Sequence, residues 1–272
     1  MALRHYTRAE LAQVMDHIVG DLLTGRTPQG IQEVSTTQRY RVGSRLQIGN
    51  RVYHYAMANG VLGPQMGALV ENEQDVSQEI IGANAAAGAT VITLTLDNTD
   101  GPTYNGLLPA NYLEGGTLMV FGALGDFIRG IKSNTAVTVN AGTATFTVVL
   151  DIPIPVAITV ADVGEVMASQ YRSVVSFGDT HIGNTWMTCV GVPTMATVAG
   201  NWTWLQTWGP TFLAVAAEVG DAAEDRTVYF GGDGAFRDFA GAGGENQQAG
   251  YILKTAKAGG QGLPFVMLML DP

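Results

Sequence analysis

The sequence is poor in charge and cysteine, and it contains no long apolar run. Only 14% of its 272 residues are charged, against about a quarter in an average soluble protein. The single cysteine, Cys189, cannot form an intramolecular disulfide, so folding does not depend on oxidation. Residues 1–20 lack the apolar core of a signal peptide, and no later run reaches transmembrane length. We therefore expect synthesis in a cytoplasm and no membrane association.

The sequence also lacks recognisable catalytic and cofactor motifs. It has no GxSxG elbow, no HExxH pair and no phosphate-binding loop. The four histidines are scattered and do not have the spacing of metal ligands. We expect no enzymatic activity, no catalytic residue, no metal and no cofactor.

The few charges are divided unevenly along the chain. Residues 1–51 hold seven arginines and four acidic residues, a net +3, whereas the remainder holds seven basic and 20 acidic residues, a net −13. The acidic body argues against a nucleic-acid partner. Arginine suits fixed ion pairs, so four arginines are predicted contacts to an acidic neighbour, including another copy of this chain: Arg39, Arg41, Arg45 and Arg51. A solvated charged segment is the alternative.

One segment near the N-terminus has the periodicity of an α-helix. Thr7 and Glu10 have capping-box spacing, and Gly25 followed by Pro28 marks an end. Apolar residues recur at helical spacing between these signals, so they form one stripe. The predicted contacts to a neighbouring subunit on this stripe are Leu11, Val14, Ile18 and Leu22. The stripe must be covered by the rest of the chain or by a neighbour.

After Pro28 the sequence has the texture of β-structure. Short alternating runs are separated by glycine-rich turn signals, and "VITLTL" alternates Ile92, Leu94 and Leu96 with Val91, Thr93 and Thr95. This pattern predicts a mainly β protein, a sandwich or barrel of short antiparallel strands with an N-terminal α-helix. A change of composition at 83–88 predicts three segments: a helical arm at 1–28, a small β-unit at 29–82 and a larger β-domain at 83–272.

Three of the four tryptophans lie in the stretch "NWTWLQTWGP". If this stretch is a regular strand, Trp202, Trp204 and Trp208 point to the same face. We predict that they pack in the core or between subunits. A flat row of indoles can also stack on sugar rings, so a glycan contact is the alternative.

Several segments together resemble structural proteins encoded near the capsid genes of tailed bacteriophages. They are "RVGSRLQIGNRVYHYAMANGVLGPQMGALV", "GGTLMVFGALGDFIRGIKSNT" and "WTWLQTWGP", in the order and spacing of that group. The similarity covers most of 39–210. The chain departs from the group in its longer N-terminal helix and in a more apolar turn at 121–125.

The resemblance implies a virion protein made in a host cytoplasm, a head decoration or cement protein that stabilises the head by contacts with the major capsid protein. The four arginines and the apolar stripe named above would then contact the capsid or a neighbouring subunit. Low charge with 46% hydrophobic residues predicts a homo-oligomer, and the resemblance suggests a trimer. Two alternatives stay open. One is the major capsid protein of the shell, although no segment after Gly25 offers its long spine helix. The other is a tail or fibre β-module that binds host glycans through the tryptophan-rich strand.

Overall fold

The computed structural model describes residues 22–64, 66–70, 75–102, 105–176, 188–213, 219–220, 226–231, 234–238, 247–254 and 264–272. These residues form antiparallel strands and turns, so the prediction of a mainly β protein is confirmed. Most of the predicted helix, including Leu11, Val14 and Ile18, lies outside the described residues. Within them, no helix has the length and apolarity needed to cross a membrane.

The chain folds into two compact units, and the first is assembled from two separate stretches. Unit 1 comprises Met1–Val70 and Ser173–Pro272, and unit 2 comprises Glu71–Arg172. The division therefore differs from the one predicted at 28 and 82. The chain enters unit 2 after β3 and returns to unit 1 at β12, and the return carries no composition change that the sequence would reveal.

The strands of unit 1 are short except for one. They are β1 (Arg45–Ile48), β2 (Arg51–Met57), β3 (Ala68–Val70), β12 (Val174–Ser176), β13 (Cys189–Pro193), β14 (Trp202–Thr211), β15 (Thr227–Phe230), β16 (Phe236–Arg237), β17 (Gln248–Lys254) and β18 (Phe265–Met269).

The strands of unit 2 are β4 (Asp75–Ile80), β5 (Val91–Asp97), β6 (Leu107–Leu108), β7 (Thr117–Phe121), β8 (Phe127–Asn134), β9 (Val137–Thr138), β10 (Thr143–Leu150) and β11 (Val163–Met167).

Unit 1 is one ten-stranded sheet that curves into a half-barrel. Its order is β12-β3-β13-β14-β18-β17-β15-β16, and the β1–β2 hairpin joins through β14. The ten-residue strand β14 is the centre of the sheet, because its first part pairs with β2 and its end pairs with β18. The inner face holds a core that includes Leu69, Val192, Val228, Phe236 and Leu268.

Unit 2 is a nearly closed barrel. Its six antiparallel strands have the order β4-β11-β7-β8-β10-β5, and a bridge between Ile81 and Leu94 connects the two ends of the sheet. In β5 the burial alternates as predicted, with Ile92, Leu94 and Leu96 inside. The period of two thus directs one side chain in two into the barrel.

Candidate subunit-contact surface

Two of the three clustered tryptophans are structural. Trp204 is fully buried and Trp202 is 6% exposed. Tyr55 stacks on Trp202 with the ring centroids 5.5 Å apart, and it meets Trp204 edge-on at 5.1 Å. Tyr40 lies 5.2 Å from Trp204. The pairing of β2 with β14 brings these rings together, because Trp204 is directly opposite Tyr55 in the register.

A buried glutamine joins the aromatic cluster by hydrogen bonds. The Gln29 side chain donates to the carbonyl of Trp202 (3.0 Å) and accepts from the Tyr55 hydroxyl (2.7 Å). The Trp204 indole N–H donates to the Gln29 carbonyl (3.2 Å). Burial raises the pKa of Tyr55 well above its usual value, so its phenol stays protonated. Trp202 and Trp204 are therefore unavailable for sugar stacking.

Trp208 lies on the opposite face of β14, contrary to the prediction that all three indoles share one face. The register with β2 shifts between Gln206, which faces Tyr53, and Trp208, which faces Val52. Thr207 is the extra residue of this β-bulge, and one extra residue reverses the alternation of side chains beyond it. A bulge leaves no periodic signal in the sequence, so the prediction of a regular strand was wrong here.

Beyond the bulge, three neighbouring strands present apolar side chains to the outside of unit 1. Trp208 is opposite Met269, Pro210 is opposite Met267, and Met267 is opposite Tyr251. We call this surface the apolar face. Its members are Trp208, Pro210 and Phe212 from β14 and its end, Tyr251 and Leu253 from β17, and Phe265, Met267 and Met269 from β18.

The apolar face is large for a surface in contact with water. Five of its side chains are between 41% and 50% exposed, namely Phe212, Tyr251, Leu253, Phe265 and Met269. At roughly 200 Å² for each complete side chain, these five alone leave about 450 Å² accessible. The alternate residues Ile252, Val266 and Leu268 point into the core. The strands are thus apolar on both faces, which explains why "LPFVMLML" shows no alternation of polarity.

A polar cluster borders the apolar face. The Nδ1 atom of buried His54 lies 3.1 Å from the Thr207 hydroxyl, and its Nε2 lies 3.6 Å from a carboxylate oxygen of Asp271. The Thr207 hydroxyl donates to the Asp271 carbonyl (2.5 Å). Burial lowers the pKa of His54, and the positive charge of Arg45 lowers it further. The nearby Asp271 raises this pKa, but the net effect is a decrease. His54 is therefore neutral at pH 7.

The predicted contact arginines are spread over the β1–β2 hairpin and the chain before it. Arg41, Arg45 and Arg51 are exposed, and Arg39 is half-buried with its Nε 3.3 Å from the Ser35 hydroxyl. Arg45 and Arg51 lie at opposite ends of the β1–β2 hairpin. Arg45 is opposite His54 at the open end, and Arg51 is next to the turn. Arg45 donates to the carbonyl of Pro272 (3.1 Å), which brings it to the polar cluster.

Leu22 is the one predicted stripe residue that the structure describes. It is half-buried and forms a bridge with Tyr40, and the next backbone N–H, that of Leu23, donates to the Arg39 carbonyl (2.8 Å). The last residues of the predicted helix are therefore in a β-bridge rather than a helical turn, and they are attached beside the aromatic cluster of unit 1.

Unit 2 carries a smaller apolar stretch on the outside of its barrel. Val163 is opposite Phe121, and Met119 is opposite Ile128, so these side chains lie in register across three strands. Phe121, Ile128 and Val163 are each more than 40% exposed. A shallow pocket of about 400 Å³ lies along the β7–β8 hairpin, lined by Met119, Val120, Phe121, Asp126, Phe127 and Ile128. Each unit thus has an apolar outer surface of its own.

The single cysteine is part of the core of unit 1. Cys189 is buried, and burial raises the pKa of its thiol far above the usual range, which removes the reactive thiolate. Its backbone exchanges hydrogen bonds with the Gln247 side chain (2.7 and 2.9 Å). Among the described residues, no group of three His, Cys, Asp or Glu side chains is placed to hold a metal ion.

Comparisons with protein-family models, with curated proteins and with solved structures found no match.

Proposed function

We propose that this protein is a structural component of a tailed-bacteriophage virion, a head decoration protein that stabilises the head by subunit contacts. The observation that carries the proposal is the apolar face of unit 1. This sheet has eight apolar side chains on one outer surface. Contiguous apolar patches of this size mark interaction surfaces, so we expect another protein surface to cover it.

The segments that carry the phage resemblance support the proposal by their places in the fold. "RVYHYAM" and "WTWLQTWGPT" are β2 and β14, which pair directly and form the aromatic cluster. "TLMVF" and "FIRGIKSN" are β7 and β8, which form a hairpin. The similar segments therefore coincide with paired structural elements, as expected if the likeness reflects a common fold.

Two other virion roles compete with decoration. For the major capsid protein, the expected long helix in mid-chain has no counterpart in described residues 105–176, which form strands and turns. For a glycan-binding tail module, Trp202 and Trp204 are buried, but Trp208, Phe212, Tyr251 and Phe265 remain as an aromatic surface. That surface is the observation in favour of glycan binding.

Immunogold electron microscopy of virions whose genome encodes this chain tests the proposal. An antibody raised against the purified protein should label the head surface. Mild treatment that releases the protein should leave the icosahedral shell closed, because a decoration protein is added to a shell that is already complete. Labelling confined to the tail would favour the glycan-binding module, and virions without the protein would refute the virion role altogether.

A further inference from the structure

We infer that the apolar face of unit 1 is covered by the apolar face of a second copy of this chain, related by a two-fold axis that sets the two β18 strands antiparallel. This inference rests on the proposed structural role and names the partner of that surface. It predicts an isologous contact, in which the same patch serves both copies. The expected assembly is therefore a dimer or another even-numbered oligomer, in contrast to the trimer suggested by the resemblance.

The area of the face suits such a contact. A standard stable interface covers about 800 Å² on each partner. The five most exposed apolar side chains supply about 450 Å² of this area. Trp208, Pro210 and Met267 are half-buried and add to it. Aromatic residues and methionine make up most of the face, which is the composition of interface cores. Two twisted sheets of this kind pack face to face about 10 Å apart.

The charges at the two ends of the face favour one orientation, and Arg45, which lies near Asp271, weakens this preference. Lys254 is exposed and opposite Phe265, at the beginning of β18. Asp271 follows the end of β18 and is 41% exposed. Six residues of extended chain separate Phe265 from Asp271, so these ends are about 20 Å apart. In the antiparallel arrangement, Lys254 of each copy meets Asp271 of the other, whereas a parallel arrangement puts like charges together.

The first test is the mass of the full chain in solution by sedimentation velocity at micromolar concentration. We expect a dimer or a larger even-numbered assembly. The substitution Phe265→Asp should weaken self-association by at least about tenfold, because it replaces a contacting aromatic ring by a carboxylate at the end of the face that meets Asp271 of the other copy. Val198→Asp is the matched control, since Val198 is 53% exposed and lies outside the face. It should leave the mass unchanged.

The second test is cross-linking with a short bis-maleimide, which reads the orientation. The double variant Lys254→Cys/Asp271→Cys should give covalent dimers, and each single variant should not, because each residue meets the other type across the axis. The natural Cys189 is buried and should not react with the cross-linker. Efficient cross-linking of Lys254→Cys alone would overturn the antiparallel arrangement.

Several other outcomes would overturn the contact between two copies. A monomer, or a trimer that Phe265→Asp leaves intact, refutes the contact. If deletion of residues 1–21 turns a monomer into a dimer, the face is covered by the chain's own N-terminal segment. If Trp208→Ala abolishes binding of the monomer to an oligosaccharide array, the face is a glycan surface. All of these results leave head labelling of virions untouched, so this inference and the proposed function fail separately.

Discussion

Replacing Trp204 by alanine tests the aromatic cluster that holds unit 1 together. The side chain is fully buried between Tyr40 and Tyr55, and the substitution leaves a cavity that the surrounding rings cannot fill. Buried aromatic-to-alanine changes cost about 3–5 kcal/mol. The substitution also removes the donor to the Gln29 carbonyl, so an unpartnered acceptor adds about 1 kcal/mol or more. We expect a total loss of about 4–6 kcal/mol.

Two further variants separate the parts of this cost. Trp204→Phe keeps an aromatic ring but loses the indole N–H, so most of the packing should survive and the loss should be well below that of alanine. Trp208→Ala is the control on the other side of the bulge, where the indole is half-buried. In an isolated chain it should cost about 1–2 kcal/mol, since less apolar area leaves water.

Urea unfolding followed by far-ultraviolet circular dichroism measures all three variants without relying on tryptophan fluorescence. Measurements belong at a protein concentration low enough to remove any contribution from self-association. If Trp204→Ala loses less than about 1.5 kcal/mol, or no more than Trp208→Ala, the cluster is not the anchor of β2 and β14. The account of the tryptophan-rich strand would then be wrong.

Three more outcomes follow from named contacts, each checked in the purified chain. Gly209 has φ +98°, and an added Cβ would lie 2.3 Å from the Asn50 carbonyl oxygen, so Gly209→Ala should cost about 2–5 kcal/mol in urea unfolding. Gly142→Ala, at φ +67° in open space, should cost only about 1–2 kcal/mol, and equal costs would contradict the close approach. Because burial lowers the pKa of His54, the unfolded chain binds its proton first as pH falls below about 6.5. Unfolding free energy should therefore decrease on acidification from that pH, and His54→Gln should reduce this slope between pH 6.5 and 5; an unchanged slope would exclude His54 as its source. The Cys189 thiol should react with Ellman's reagent only after unfolding, and prompt reaction of the native protein would show that it is accessible.

The period-two pattern predicted the β class well, because it reports directly which side chains enter a core. In β5, the alternation of Ile92, Leu94 and Leu96 with Val91, Thr93 and Thr95 matches the observed alternation of buried and less buried side chains. The same rule placed Trp202 and Trp204 together on one face, where the structure buries both. The pattern was sufficient in β5 and in the part of β14 before Thr207, because the pairing is regular there and the indicated face is buried.

The apolar face was not predictable by the same rule. Its position depends on the bulge at Thr207, which turns Trp208 outward, and on the pairing of β14 with β18 and β17, which are distant in sequence. The two-unit division also depends on long-range pairing, since β3 pairs with β12 and β13 on the far side of unit 2 in the sequence. Such long-range strand pairings cannot be predicted from the local composition of the chain.

A cryo-electron microscopy reconstruction of the mature head tests the central claim most directly. The account predicts density for this chain on the outside of a complete shell, with the apolar face of unit 1 buried against a two-fold-related copy and Lys254 facing the other copy's Asp271. A head without this density, or with the chain present and its apolar face open to solvent, would contradict it.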